Sequence, residues 1–227
     1  VDVQTRGRVT VLNAGDRPTT FYVGLGARAL TDVARVLPEW KGPLFLEVPR
    51  DKDQLDVVLA AQPDTYASIA GITSTADGSV VPGAPVHVYL NPPVFDTLKR
   101  QGAQVVVSHE ATHVATDASF TSGLPTWLLE GFADYVALVG ADVPVERAAA
   151  QAIKQMRTDG LPEALPSPED LESTAEGLGA TYEQAWLACR YLAQRYGEDA
   201  LIDFYREVDS GTSVASAFDG VLGITEA

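Results

Sequence analysis

Two of the chain's three histidines stand four residues apart, with a carboxylate beside the first, in the run "VVVSHEATHVA". On an α-helix, positions i and i+4 fall on one face, so His109 and His113 can bind one metal ion together. Glu110 sits one step around the helix. It can reach a water at that metal without being a ligand, and so serve as a general base. The plain alternative is a pair of surface histidines on a solvated helix face. The three preceding valines and the flanking Ala111, Val114 and Ala115 count against it, because a largely apolar helix that displays His and Glu needs partners for them.

A catalytic zinc site usually has three protein ligands and one open position. A histidine six residues after His113 would complete one three-histidine pattern, but that residue is Ser119. The only other histidine is His87, upstream. Glu130, in "PTWLLEGFADYVALV", is better placed, one loop and one turn into the next apolar segment. Asp134 follows it at i+4 and shares its helix face. A carboxylate that holds a ligand histidine by its other ring nitrogen is the usual companion of such a site. Both acids could instead mark the wet face of an amphipathic helix. Gly131 costs about 1 kcal/mol relative to Ala inside a helix, and close approach to the "HEATH" helix would account for it.

Those residues need a scaffold. The first third of the chain alternates strand-like and helix-like pieces. "RGRVTVLNAG" reads as a strand entering a turn, "ARALTDVARVLPEW" as a helix stopped near Pro38, "GPLFLEVPR" as a short strand and "DKDQLDVVLAAQ" as a helix with acids in its first turn. "VPGAPVHVYLNPP" alternates Val86, Val88 and Leu90 against His87 and Tyr89. Prolines bound it, which suits a sheet edge. From Pro92 onward helices are predicted over 93–100, 103–117, 125–140, 146–158, 181–196, 198–209 and 213–221, with the longest loop in "TDGLPEALPSPEDLESTAEGLGA". Strands with helices first and helices afterwards predict an α+β fold. It would be a single domain over 1–227, with a strand and helix lobe in 1–122 that includes the "HEATH" helix and a helical lobe in 123–227.

The H-E-x-x-H motif followed by "PTWLLEGFADYVA" resembles the gluzincin metallopeptidases, most of all their peptidase MA-like group. "TYEQAWLACRYLAQRYGEDALIDFYREV" and "SVASAFDGVLGIT" resemble that group's downstream helices. The resemblance implies a small mixed sheet with an antiparallel-leaning edge strand, then a mostly helical lobe, with the motif helix between them. It implies Zn2+ held by His109, His113 and Glu130, Glu110 as the base, and Asp134 orienting the first histidine. It also implies a downstream tyrosine, Tyr182, as hydrogen-bond donor to the tetrahedral intermediate. His87 competes for that role, and with Tyr89 it could line a substrate cleft along which an extended peptide pairs with strand 84–91. The expected activity is zinc-dependent peptide hydrolysis, of the endopeptidase type. Two other readings are a catalytically inactive gluzincin-fold scaffold and a zinc hydrolase acting on a non-peptide substrate.

Composition narrows the partners. The chain has 227 residues, is 46% hydrophobic, and carries a net charge of −15 from 31 acidic and 16 basic residues. That balance excludes sequence-independent nucleic-acid binding, which needs a basic face, and docking on anionic lipid. No apolar run approaches the ~18 residues of a membrane span. The single cysteine, Cys189, permits no intrachain disulfide and reads as a small core residue. A monomer acting on peptides or proteins is expected. The chain begins at Val1, and bacterial secreted proteins and lipoproteins are frequent in the group it resembles. An extracytoplasmic or secreted location, with a leader or lipid anchor removed, is therefore expected.

Overall fold

The computed structural model describes residues 1–63, 65–121 and 123–225. It is an α+β protein with a mixed five-stranded sheet. The described residues fall into two units. One holds Val1–Phe120 and Val136–Ala141. The other holds Thr121–Tyr135 and the described residues from Asp142 onward.

In the first unit, β1 (Asp2–Arg6) and β2 (Val9–Asn13) form an antiparallel hairpin in which Arg6 pairs with Val9. Gly7 takes φ 60° at the first position of the two-residue turn, where a right-twisting hairpin calls for glycine. A single strand was expected over this stretch. The tight turn was missed because Gly7 stands between two arginines rather than beside Asn or Asp. β3 (Leu44–Val48) runs parallel to β2, and β5 (Val86–Leu90) parallel to β3. β4 (Gly71–Thr75) closes the sheet antiparallel to β5, giving the order β1-β2-β3-β5-β4.

The strand that carries His87 is therefore an inner strand and not the edge. Its prolines bound the strand without entering it, so both its backbone sides are free to pair. The antiparallel edge is β4, from "GITST", whose five residues carry only weak alternation. The expectation that an extended peptide pairs with strand 84–91 falls with this, since β3 and β5 already pair on one side and β4 and β5 on the other.

Helices α1 (Thr19–Val36) and α4 (Arg100–Ala115) pack on each other and on one face of this sheet. Val9, Val11, Leu44, Leu46, Val88 and Leu90 are all fully buried. α2 (Lys52–Val58) starts at Asp51, whose carboxylate accepts from the Gln54 amide at 2.9 Å, a favourable N-cap. α3 (Pro92–Phe95) is a single turn opened by prolines, which lack the N–H that a helix start cannot use.

The second unit is helical. It contains the first ten residues of α5 (Thr126–Val139), then α6 (Val145–Ala148), α7 (Ala150–Asp159), α8 (Leu178–Tyr196), α9 (Glu198–Asp209) and α10 (Val214–Ala217), which continues into a π-turn over Phe218–Leu222. Glu183 of α8 caps the start of α7, accepting from the Ala152 amide at 2.8 Å. Phe132 of α5 packs on Tyr205 of α9 with ring centroids 4.4 Å apart. The Tyr135 hydroxyl donates to Glu198 at 2.6 Å, which ties α5 to the first residue of α9. Among the described residues, no helix is long and apolar enough to cross a membrane.

Candidate metal centre

α4 presents three faces, each with its own partner. One face meets α1. The Ser108 hydroxyl donates to the buried Asp32 carboxylate at 2.8 Å, Asp32 also accepts from Arg28 at 2.8 Å, and the Gln104 amide donates to the Leu25 carbonyl at 3.1 Å. Asp32 is only 6% exposed, so this double pairing is what lets an acid sit there.

The second face meets β4 and carries Glu110. The carboxylate is 6% exposed, and the Thr73 hydroxyl lies 2.7 Å from its Oε2 and 3.1 Å from its backbone carbonyl. Gly71, on the same strand face, allows the helix to come this close. A Cβ there would stand 2.9 Å from both Glu110 Cγ and Val106 Cγ1. Thr73 went unnoticed in the sequence. The β-branched residues of "GITST" after a glycine could have signalled the strand, but nothing local links Thr73 to a glutamate 37 residues away.

The third face carries the histidines. His113 is 8% exposed and His109 half-buried, and their Nε2 atoms lie 3.0 Å apart with the rings nearly perpendicular. Two nitrogens bound at ~2.05 Å to one tetrahedral zinc are ~3.3 Å apart, so this pair is already close to coordination spacing. Among the described residues, one group of three side chains offers metal-ligand atoms that all lie within 4.8 Å of one another. It is His109, His113 and Glu130. Two imidazoles and a carboxylate are a donor set that suits zinc, and three protein ligands leave a position open. Asp117, the remaining acid near α4, is exposed beyond the helix end with φ 53°.

On α5, Glu130 and Asp134 are both half-buried. Gly131 between them was expected to admit the "HEATH" helix. The close approach seen is instead to α8, since a Cβ on Gly131 would fall 2.4 Å from the Ala185 carbonyl oxygen and 3.0 Å from Cys189 Sγ. Helix partners cannot be read from a lone glycine, because any neighbour can exploit the missing side chain. The Cys189 thiol is pushed up well above its ordinary pKa by burial and then by the nearby Asp134 charge. Tyr182 is the fifth residue of α8 and half-buried. It precedes Ala185 by three positions and Cys189 by seven, so it lies on the α8 face that meets α5 at Gly131.

His87 and Tyr89 point elsewhere. Thr73 pairs with Val88 and Ser74 with His87, and neighbours along a strand face opposite ways. The Thr73 side of the sheet meets Glu110, so His87 and Tyr89 lie on the far side. There the His87 Nδ1 is 2.5 Å from Glu47 Oε1, and its ring stacks on Phe45 at 4.8 Å. Tyr89 is buried, and its hydroxyl is pushed up to about 12, first by burial and then by the Glu47 charge. The geometry does not bring either residue to Glu110. Compared with known proteins, the chain matches no family model, no curated protein and no solved structure.

Proposed function

We propose that the chain is a zinc-dependent peptidase of the gluzincin type, with His109, His113 and Glu130 as metal ligands. The observation that carries this reading is the gathering of these three donors within 4.8 Å, with Glu110 on the same helix as the two histidines. Bound by this set, zinc would polarise a substrate carbonyl as a Lewis acid and lower the pKa of water to about 7.

The chain's own residues have distinct tasks in this reading. Thr73 holds Glu110 Oε2, which leaves Oε1 to take a proton from the attacking water and return it to the leaving nitrogen. Tyr182 donates to the developing oxyanion, a charge that forms only in the transition state. Asp134 orients a ligand histidine from α5. An inactive scaffold of the same fold has no use for a buried carboxylate braced by a hydroxyl, so the Thr73–Glu110 pair favours an enzyme. The motif speaks to the bond-breaking chemistry rather than to the substrate, and a peptide is chosen on the resemblance. Endopeptidase action accords with the lack of a tight cluster in the sequence that would grip a free amino terminus.

The test is cleavage of a broad peptide library by wild type and by Glu110→Gln. Wild type should cleave, and Glu110→Gln should lose about 10²–10⁴-fold while retaining its fold. Equal cleavage by both would remove Glu110 from the mechanism. Absence of cleavage by either, with metal bound, would favour the scaffold.

A further inference from the structure

Beside α1 lies an open groove of about 580 Å³ lined by Arg8, Arg28, Thr31, Asp32, Arg35 and Gly140. Such a volume is in the range of small-molecule sites and exceeds what a lone inorganic ion fills. Three of the chain's 16 basic residues meet here, in a protein whose net charge is −15. The only acid in the lining is Asp32, and it is already committed to Arg28 and Ser108.

Each guanidinium keeps donors in reserve. Arg28 spends Nε on Asp32, which leaves both terminal nitrogens. Arg8 gives one terminal N–H to the Gly42 carbonyl at 3.1 Å and lies over the Trp40 ring, 5.6 Å from its centroid. That indole face fixes the plane of the Arg8 fork. Arg35 makes no hydrogen bond or ion pair among the described residues, and it rests against the bare backbone of Gly140. Arg28 and Arg35 are seven residues apart on α1, so they stand on one helix face with Thr31 between them.

A planar fork with unspent N–H groups matches the oxygens of phosphate and carboxylate. Three such forks around one concavity leave an uncompensated positive charge that a small cation or neutral ligand would not use. We infer that this groove is a binding site for a small oxyanion, phosphate- or carboxylate-based, carrying at least two negative charges. It shares no residue with the metal centre, so it stands whether or not the chain is a peptidase.

The experiment follows the arginine Nε–Hε resonances of the full chain during titration with pyrophosphate and, separately, succinate, at ionic strength held constant with chloride. Wild type should show saturable shifts of the Arg35 signal with at least one of the two. The stronger binder tells a phosphate from a carboxylate ligand. Arg35→Gln should weaken binding about tenfold or more, read on the Arg28 and Arg8 signals, because a charge-assisted hydrogen bond is lost. Arg35 is exposed, so the variant should fold. No saturable shift with either anion, or affinity unchanged in Arg35→Gln, overturns the inference.

Discussion

Replacing Gly131 by Ala sets two known effects against each other. Helix propensity favours Ala by about 0.8–1.0 kcal/mol inside a helix. Packing opposes it, because the new Cβ would lie 2.4 Å from the Ala185 carbonyl oxygen and 2.7 Å from its carbon. The obstacle is backbone in the middle of α8, which cannot rotate away as a side-chain tip would. α5 and α8 would have to part by roughly 1 Å to restore ordinary contact. Overpacking of this kind costs about 1–3 kcal/mol, and a backbone obstacle belongs at the upper end. The net expectation is a destabilisation of about 1–2 kcal/mol. In a chain of this size that is a Tm lower by about 2–8 °C. Gly24, inside α1, is the control, since a Cβ there meets nothing within 4 Å. Gly24→Ala should raise stability by about 0.5–1 kcal/mol. Thermal melts followed by circular dichroism measure both. A Gly131→Ala protein as stable as wild type would refute the close approach of α5 to α8 and, with it, the placement of Tyr182 on the shared face.

Other consequences are open to measurement. Tyr22 and Tyr89 have hydroxyls pushed up to about 12, first by burial and then by Asp96 and Glu47 respectively. The folded state thus holds these protons more tightly than the unfolded chain, whose tyrosines ionise near ~10. Their stabilisation is complete below about pH 10 and is lost as pH rises toward about 12. Tyr22→Phe and Tyr89→Phe should each remove absorbance from the high-pH end of the tyrosinate titration, whereas a titration unchanged at that end by either would contradict it. The buried Cys189 thiol should resist a disulfide-exchange reagent in the native protein and react once on unfolding, so fast native labelling would count against its burial. Tyr182→Phe should lower kcat by about 10²–10³ with KM and zinc content unchanged. His87→Gln should cost less than about tenfold, since His87 is held by Glu47 on the far side of the sheet. The reverse order would transfer the donor role to His87.

Local signals made the two helices of the candidate site legible. The ranges 103–117 and 125–140 were expected, and α4 and α5 span Arg100–Ala115 and Thr126–Val139. Apolar periodicity carries that information within each segment. The i, i+4 spacing of His109 and His113 is a property of a single helix, so it too was readable. Sheet order was not. Whether β5 sits inside or at the edge depends on β4, a segment of five residues with weak alternation. The placement of His87 on the sheet face away from Glu110 follows from a register between two strands, which no window of sequence contains. Gly131 was recognised as a close-approach residue, but its partner lies 54 residues downstream at Ala185. The Thr73 brace on Glu110 and the three-arginine groove are likewise assembled only by tertiary packing.

Metal content tests the central claim most directly. Purified wild type, loaded with zinc and freed of excess, should hold one zinc per chain by mass spectrometry. Glu110→Gln should hold the same, because Glu110 is braced by Thr73 and is not among the three gathered donors. His113→Ala and Glu130→Ala should each lose the metal, and Asp134→Ala should bind it about 10–100-fold more weakly. Full zinc occupancy in Glu130→Ala, or no zinc in wild type, would contradict the account.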